Sequence, residues 1–356
     1  MIKTVKLEEL ASVKGGKRLP KGVNLITTPN SHPYIRVRDL NNRHTLELNA
    51  DFEYVDDETQ KSIARYIVDR GDIVLSIVGT IGLVAIVGDS LHHANLTENC
   101  VKLTQLNGVN RDYLYYFLKS ELGQAEIAKG TVGAVQAKLP IKNIQAIEVV
   151  LPSLEQQEKK ASILAAIDYK IEANEKINDN LQQQAYAYFM QLFIENADPS
   201  WRVGTIADLG TVVGGGTPSK AKPEYYTDDG IAWITPKDLS IDKSKFIAHG
   251  ENDISELGYR NSSATMMPAG TVLFSSRAPI GYIAIASNEV TTNQGFKSVV
   301  PHPEIGTPFV YYFLIHNLPL IESKASGSTF KEVSGSVMKS VEAVIPDGNT
   351  IAKFNG

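Results

Sequence analysis

The chain of 356 residues lacks several features that whole classes of protein need. Its one cysteine, Cys100, cannot form a disulfide within the chain, so a reducing cytoplasm is the expected location. There is no run of about 18 apolar residues that would span a membrane, and we expect no signal peptide. The net charge of −5 argues against a uniformly basic surface, so any contact with nucleic acid must come from local patches.

Catalytic and metal-binding motifs are also missing from the sequence. The glycine-rich stretch "GGGTPSK" does not fit the P-loop pattern, and no G-x-G-x-x-G follows a predicted strand. No Asp/Asn-Pro-Pro-aromatic tetrapeptide, of the kind that amino methyltransferases use, is found. The seven histidines show no metal-ligand spacing, and the His92–His93 pair is expected to be solvated in a loop. We therefore expect no catalytic residues, no metal and no cofactor in this chain.

What the sequence does contain is a long internal repeat. "HPYIRVRDL" (32–40) and "GIAWITPKDL" (230–239) share an aromatic residue, an isoleucine, a basic residue and Asp-Leu, and Tyr34 is 199 positions before Trp233. "RGDIVLSIVGTIGLVAI" (70–86) matches "AGTVLFSSRAPIGYIAI" (269–285) at the same offset. Similarity that keeps its order over about 150 residues indicates two copies of one domain.

Each copy has a mixed pattern of short strands and a few helices. Apolar runs bounded by glycine or proline predict strands, whereas residues 110–128 have the spacing of a helix. The predicted fold class is α+β, with two similar mixed α/β domains joined by a long coiled-coil-type α-helix. The predicted boundaries are 1–152 for the first domain, 153–196 for the helix, 197–346 for the second domain and 347–356 for the start of another helix.

Residues 153–196 contain no glycine or proline and are rich in strong helix formers. A seam of positions alternating by three and four predicts a coiled-coil spacer: Leu164, Ile167, Ile171, Asn174, Asn178, Leu181, Ala185, Tyr188 and Leu192. An amphipathic helix packed on its own domains is the alternative. Asn174 and Asn178 either fix the register of helix pairing or lie at a solvated end of the interface.

Polar, glycine-rich loops occur at matching places in both copies, such as "VKGGKRLPKG" and "VVGGGTPSKAKP". Their glycines would let the backbone approach a phosphate, and their basic and hydroxyl side chains would donate to it. Tight turns and ordinary surface lysines are the alternative interpretation. The candidate DNA-contacting residues are Lys14, Lys17, Arg18, Arg36, Arg38, Ser76, Thr80, Thr217, Ser219, Lys220, Lys222, Lys237, Ser275, Ser276 and Arg277.

The combination resembles the specificity (S) subunit of type I DNA restriction–modification enzymes. The matching stretches include "GGGTPSKAKPEYY", "IAWITPKDL", "GTVLFSSRAPIGYIAIA", "TTNQGFKSV" and "IEVVLPSLEQQEKKASILAAID". The resemblance implies that each repeat is a target recognition domain reading one half of a bipartite, asymmetric site in double-stranded DNA, and that the helix sets the spacer. It also implies a part in bacterial defence.

The resemblance further implies partner subunits that carry the chemistry. Modification (methyltransferase) subunits would supply S-adenosylmethionine and adenine-N6 methylation, and restriction subunits would hydrolyse ATP, with Mg, and cut DNA. The family has a second helix after the second repeat, and this sequence contains only its start. The helix seam would then be completed from a longer coding sequence or from another chain, and self-association through the central helix is one such route.

Two functions of other classes remain open at this point. One is a methyltransferase or nuclease with fused recognition repeats, which would need catalytic motifs. The other is a non-catalytic coiled-coil scaffold that binds protein partners. Salt-dependent binding to DNA would distinguish a DNA reader from such a scaffold, because phosphate contacts release counterions.

Overall fold

The computed structural model describes residues 3–40, 43–133, 135–327 and 331–356. The chain divides into two compact units, unit 1 (Met1–Asn178) and unit 2 (Asp179–Gly356). Among the described residues, no helix has both the length and the apolarity needed to cross a bilayer.

The described residues of unit 1 form ten strands and six α-helices, and the last helix continues into unit 2. The strands are β1 (Lys3–Lys6), β2 (Ser12–Gly15), β3 (Pro33–Ile35), β4 (Thr45–Leu46), β5 (Glu53–Tyr54), β6 (Ile73–Ser76), β7 (Val84–Val87), β8 (Asn95–Leu96), β9 (Cys100–Thr104) and β10 (Glu148–Leu151). The α-helices are α1 (Leu7–Leu10), α2 (Asp57–Ile63), α3 (Arg111–Lys119), α4 (Glu121–Gly130), α5 (Ile141–Gln145) and α6 (Leu154–Met190). Short 3-10 turns lie at Val37–Asp39, Ala64–Tyr66 and Asp89–Leu91.

Unit 2 repeats this order of elements. Its strands are β11 (Arg202–Thr205), β12 (Gly210–Gly214), β13 (Tyr226–Thr227), β14 (Ile231–Ile234), β15 (Phe246–Ile247), β16 (Asn252–Ile254), β17 (Val272–Ser276), β18 (Ile280–Ala286), β19 (Thr291–Thr292), β20 (Lys297–Pro301) and β21 (Glu342–Ile345). Its helices are α7 (Ile206–Leu209), α8 (Pro236–Ile241), α9 (Glu256–Arg260), α10 (Thr307–His316), α11 (Leu318–Ser323), α12 (Gly335–Ser340) and α13 (Gly348–Asn355). A π-helical turn, Gln191–Glu195, extends α6, and a 3-10 turn lies at Pro223–Tyr225.

The strand topology is the same in the two units, apart from the additional edge strand β13 in unit 2. The main sheet has the order β2-β9-β6-β7-β4 in unit 1 and β12-β20-β17-β18-β15 in unit 2. A smaller sheet has the order β5-β3-β8 in unit 1 and β13-β16-β14-β19 in unit 2, and the pair β1-β10 answers β11-β21. The repeated aromatic residues, Tyr34 in β3 and Trp233 in β14, lie in matching strands of the small sheets. The strand β3 pairs in parallel with β8, and β14 pairs in parallel with β19. The predicted repeat and fold class are confirmed.

The central strands of each main sheet are buried on both faces, which explains why they read as continuous apolar runs. In β6, Ile73 and Leu75 pack into the cluster beneath helices α3 to α5, whereas Val74 between them faces the cluster around the small sheet. In β17, Val272 and Phe274 alternate with Leu273 in the same way. Cys100 lies fully buried in β9, and burial raises the pKa of its thiol to about 12.

The predicted long central helix is present as α6. It starts at Leu154, and the hydroxyl of the preceding Ser153 accepts a hydrogen bond of 3.4 Å from the amide of Gln156. Within unit 1, Ala161 and Ala165 are buried, and the Gln157 side chain accepts from the amide of Asn110 at 2.8 Å. This end of the helix therefore packs through small residues and hydrogen bonds.

The other end of α6 packs on unit 2 through aromatic residues. Phe189 and Phe193 are buried, and their ring centroids lie 5.8 and 4.8 Å from that of Phe309 on α10. Phe354 on α13 lies 5.9 Å from Phe189 and 5.3 Å from Phe193. Asp347 caps α13 by accepting from the backbone amides of Asn349 and Thr350.

Most of the predicted seam faces solvent between these two ends. Leu164, Ile167, Ile171 and Leu181 are all 43–56% exposed, and Asn174 and Asn178 are exposed as well. Only Ala185, Tyr188 and Leu192, the last seam positions, are partly covered. Within the described residues, the seam is thus an apolar stripe on the surface of the helix.

Candidate functional site

The aromatic residue of the repeated strand has the same role in both units. The Tyr34 hydroxyl donates a hydrogen bond of 2.7 Å to the carbonyl of Lys17, and the Trp233 indole N–H donates one of 2.9 Å to the carbonyl of Gly216. Each bond joins the small sheet to the glycine loop, which we define as residues 14–21 in unit 1 and 214–222 in unit 2. The aromatic therefore anchors the loop.

We expect Tyr34→Phe to loosen the first glycine loop without unfolding the unit. The substitution removes the donor to the Lys17 carbonyl, and a hydrogen bond of this kind contributes about 1 kcal/mol. Hydrogen exchange measured by mass spectrometry should become faster in peptides covering residues 15–20 and stay unchanged in β6. Unchanged exchange in the loop would show that the hydroxyl does not anchor it.

One glycine in each loop is required by close packing against the chain's own backbone. A Cβ atom added at Gly16 would lie 2.0 Å from the Thr97 carbonyl oxygen, and one at Gly215 would lie 2.0 Å from that of Asn293. Both distances are far below van der Waals contact. We expected these glycines to let a phosphate approach the backbone, and at these two positions that expectation is wrong. The space beside each glycine is filled by the backbone of the segment that precedes β9 or β20.

The acidic residue of the repeated motif caps the turn that follows the strand. Asp39 accepts from the amide of Arg36 and Asp238 from that of Thr235, both at 2.7 Å, and both carboxyls are nearly buried. Burial raises the pKa of Asp39 to about 6, although Arg38 acts in the opposite direction. Because the native state holds this proton more tightly than the unfolded chain, the buried carboxyl costs stability as the pH rises from about 4 to about 6.

The basic residue of the motif forms an ion pair with a glutamate in both units, at the start of β5 in unit 1 and just before β16 in unit 2. Arg38 donates to Glu53 at 2.9 Å, and Lys237 contacts Glu251 at 2.5 Å. Arg36 also pairs with Glu53. The hydrogen bond to Glu251 raises the pKa of Lys237. Arg38 and Lys237 remain more than half exposed, and each carries a carboxylate that a ligand would have to displace or share.

Three of the predicted DNA-contacting hydroxyls lie inside the protein. Ser76 and Ser275 are fully buried, and each donates to the carbonyl four residues on, at 2.6 and 2.9 Å. Ser276 is also buried and donates to the Gly295 carbonyl. Contact with DNA through these serines was the expectation, and the structure corrects it. The hydroxyls of Ser76 and Ser275 bond within the turn after their own strand, and that of Ser276 bonds to the loop before β20.

A cleft of about 490 Å³ in unit 2 brings together four of the predicted residues. Thr217 and Lys220 come from the glycine loop, Lys237 from the start of α8, and Arg277 from the turn after β17. These positions are far apart in sequence and belong to three different segments of unit 2. The cleft also exposes donors and acceptors that the sequence did not single out, namely the side chains of Asn252, Asn293 and Gln294.

Acidic residues pair with two of the cations that line this cleft, Lys237 with Glu251 and Arg277 with Glu332. Arg277 lies 3.5 Å from Glu332, which also contacts Lys297 at 3.3 Å. Thr217 is hydrogen-bonded to Gln294. The cleft thus contains ion pairs and amide side chains. It offers both hydrogen-bond donors and hydrogen-bond acceptors to a polar ligand.

In unit 1, the other predicted residues of the glycine loop lie on the surface. Lys14 and Lys17 are exposed, and the Lys17 ammonium is 5.6 Å from the centroid of the Tyr66 ring. Arg18 donates to Glu98 at 2.6 Å. Glu98 takes the place in unit 1 that Gln294 takes in unit 2, so the same frame presents a carboxylate in one repeat and an amide in the other.

The remaining predicted residues are also exposed. Thr80 lies in the turn after β6, and Ser219 lies in the second glycine loop. Lys222 donates to the Tyr225 hydroxyl at 2.9 Å, and this bond raises the pKa of Lys222. The structure therefore places these side chains within reach of a macromolecular partner, outside the cleft itself.

Both repeats of the chain match one known protein family. A sequence model of the type I restriction modification DNA specificity domain matches residues 2–183 and again residues 199–354. The chain belongs to this family. The two matches correspond to the two repeats, and the resemblance inferred from the sequence is confirmed.

Individual members of the specificity family match parts of the chain. The type I restriction enzyme MjaIX specificity subunit of Methanocaldococcus jannaschii is 41% identical over 160 residues, which is 44% of this chain and 37% of that subunit. The type I restriction enzyme EcoR124I/EcoR124II specificity subunit of Escherichia coli is 25% identical over 251 residues, or 67% of this chain and 59% of that subunit. The matched regions span less than two thirds of either relative.

A solved structure of the specificity family has the same fold. The crystal structure of a type I restriction-modification system S subunit from M. genitalium superimposes with a TM-score of 0.64 at 16% sequence identity, covering 100% of this chain and 87% of that one. At this identity the likeness concerns the fold.

Sequence reasoning missed the amide side chains of the cleft. Asn293 and Gln294 lie in "TTNQGFKSV", a stretch that carries the specificity-family resemblance, but amides alone carry no pattern that marks a site. The available signal was the difference between the repeats, because "TENC" in the first copy answers "NQGF" in the second. Where two repeats share a backbone fold but differ in a surface side chain, they can bind different ligands at that position.

Proposed function

We propose that this chain is the non-catalytic specificity subunit of a type I restriction–modification complex. Each repeat reads one half of a bipartite, asymmetric site in double-stranded DNA, and α6 sets the number of unread base pairs between the halves. The modification and restriction subunits supply S-adenosylmethionine, ATP and Mg chemistry. The membership of both repeats in the specificity family supports this assignment.

The observation that carries the proposal is the cleft of unit 2. It gathers Lys220, Lys237 and Arg277 with the amides of Asn293 and Gln294 on one surface. Arginine and lysine pair with guanine edges in the major groove, and asparagine and glutamine pair with adenine, so these side chains can read bases as well as hold phosphates. The neighbouring glutamates fix the cations in position before DNA arrives.

The two units present different groups on the same frame, which supports two different half-sites. Arg38 in unit 1 corresponds to Lys237 in unit 2, and Glu98 corresponds to Gln294. A carboxylate accepts hydrogen bonds from cytosine, whereas an amide both donates and accepts. Chemical differences at matched positions are therefore sufficient for an asymmetric site.

The apolar stripe on α6 supports assembly through a partner helix. Leu164, Ile167, Ile171 and Leu181 are spaced as a coiled-coil seam and are exposed. Asn174 and Asn178 lie among them, and amides on such a seam satisfy each other only in one register. A second copy of this chain or a helix of another subunit would cover the stripe.

We expect Lys237→Ala to weaken binding to one half-site by about tenfold, since one good base contact discriminates by about 1–3 kcal/mol. Arg38→Ala should have the same effect on the other half-site. Binding is measured by fluorescence anisotropy of the assembled complex on duplexes in which each half is scrambled in turn. Lys353→Ala is the control, because Lys353 lies on α13 and makes the same change of charge outside the cleft.

The target sequence for these duplexes comes from sequencing the methylated bases of a host that expresses this chain with its modification subunit. A split, asymmetric motif is the expected result. Equal losses at both half-sites, or no loss in either variant, would contradict the assignment of the two residues. Methylation without any split motif would contradict the proposed function as a whole.

A further inference from the structure

Three potential metal ligands of unit 1 come together in a place that the DNA-reading proposal does not use. Asp69, His92 and His93 each offer one ligand atom, and these atoms lie within 4.8 Å of one another. The Asp69 Oδ1 atom is 3.6 Å from Nδ1 of His92 and 3.5 Å from Nε2 of His93. A cation placed between them would need small side-chain movements to reach bonding distances of about 2.0–2.2 Å.

The backbone holds the three residues in this arrangement. The amide of Val68 donates to the Ala94 carbonyl, and the amide of His93 donates back to the Val68 carbonyl, both at 2.8 Å. His93 has a φ of 68°, in the left-handed region that few non-glycine residues adopt. The pair of hydrogen bonds fixes the segment before β6 against the segment before β8, so most of the ordering needed for a ligand set is already present.

The charges around the cluster favour a cation. Lys102 lies 3.6 Å from Oδ2 of Asp69 and 2.9 Å from Asp72, so it orients the Asp69 carboxylate from the side away from the histidines. Arg70 is paired with Asp89 at 2.9 Å. The competing bond at His92, from the amide of Arg70 to Nδ1, is long at 3.3 Å. Asp69 and Asp72 together carry two negative charges, and the ammonium of Lys102 between them carries only one positive charge.

We propose that Asp69, His92 and His93 bind a divalent transition-metal cation of the zinc class. Two imidazoles and one carboxylate suit zinc or nickel, whereas magnesium and calcium prefer sites made of oxygen atoms. All three side chains are about half exposed, so water would complete the coordination.

Among the described residues, the site is found in the first repeat and not in the second. Residues 88–94 connect β7 to β8 in unit 1, whereas only residues 287–290 connect the corresponding strands β18 and β19 in unit 2. The longer connection contains both histidines. A bound cation would tie this connection, which leads into β8, to Asp69 in the segment before β6. The end of β8 contacts Gly16 of the glycine loop. The bound cation would act as a structural clamp behind that loop.

Isothermal titration of the full chain with zinc chloride tests the site. The wild-type chain should bind one equivalent that Asp69→Asn and His93→Asn weaken by at least about tenfold. Asparagine is chosen at position 93 because it tolerates the left-handed backbone. His249→Asn, which removes an exposed histidine of unit 2, should leave this binding unchanged. Circular dichroism confirms that each variant is folded.

A second measurement identifies the residues directly. Zinc should protect His92 and His93 from modification by diethyl pyrocarbonate, mapped by mass spectrometry, and should leave His249 reactive. Equal zinc binding by the wild-type chain and Asp69→Asn, or zinc-independent reactivity of both histidines, would overturn the proposal. Neither readout involves DNA, so the result is independent of the proposed function.

Discussion

Phe189→Ala should lower the free energy of unfolding of unit 2 by about 3–5 kcal/mol, as expected for truncating a buried aromatic residue. Phe189 is 1% exposed and lies on α6, where its ring is 5.2 Å from that of Phe193 and 5.8 Å from that of Phe309. The substitution leaves a cavity at the contact of α6 with α10 and α13. The last turns of α6 should therefore separate from the unit.

Ile177→Ala is the matched control, because it removes an apolar side chain from the same helix at a position that is 55% exposed. Its effect should stay within about 0.5 kcal/mol, as for most surface substitutions. A chain of two units need not unfold in one step, so the measurement is hydrogen exchange of peptides covering α10 during a urea titration. Equal midpoints for the two variants would show that Phe189 does not join the helix to the unit.

The same helix shows how much of the fold could be predicted. Its presence followed from the absence of glycine and proline, and its exposed stripe followed from the heptad spacing. The side that packs on unit 1 did not follow, because that side uses Ala161, Ala165 and the amide of Gln157, which have no apolar period of their own. Alanine is favoured in exposed and buried helix positions alike, so the sequence does not show which alanines are buried.

The site was predicted in part for a similar reason. Exposed basic residues such as Lys220 and Lys237 could be found from their place in repeated polar loops. The serines could not be placed, because a hydroxyl on a loop and a hydroxyl bonded to the carbonyl four residues on have the same sequence pattern. The Asp69–His92–His93 cluster depends on a pairing of two distant segments, which no local spacing shows.

The two glycines at the start of the second loop, Gly214 and Gly215, should respond in opposite ways to the same substitution. Gly215→Ala should destabilise unit 2 by about 3 kcal/mol, the upper end of the usual cost of overpacking. Its Cβ atom would lie 2.0 Å from the Asn293 carbonyl oxygen and 2.4 Å from that of Thr292. Relief requires the loop to move away from the strand β19 that carries Thr292.

Gly214→Ala is the control on the neighbouring residue. Nothing lies within 4 Å of a Cβ atom added there, and the residue is in strand β12, where alanine is favoured over glycine by about 0.5–1 kcal/mol. This variant should be as stable as the wild-type chain or slightly more so. The stability is measured by denaturant titration in a Trp201→Phe background, so that the fluorescence comes from Trp233. Trp233 is bonded to the carbonyl of Gly216 and therefore reports on the loop.

The same displacement should reach the proposed DNA-binding surface. Thr217 and Lys220 follow Gly215 in the loop and line the cleft, so Gly215→Ala should weaken binding to the half-site that Lys237 contacts. Gly214→Ala should leave that affinity unchanged. A stable Gly215→Ala variant with normal affinity would mean that the backbone contact with Asn293 does not position the loop. It would also contradict the inference that the strand carrying Trp233 supports DNA binding by anchoring this loop.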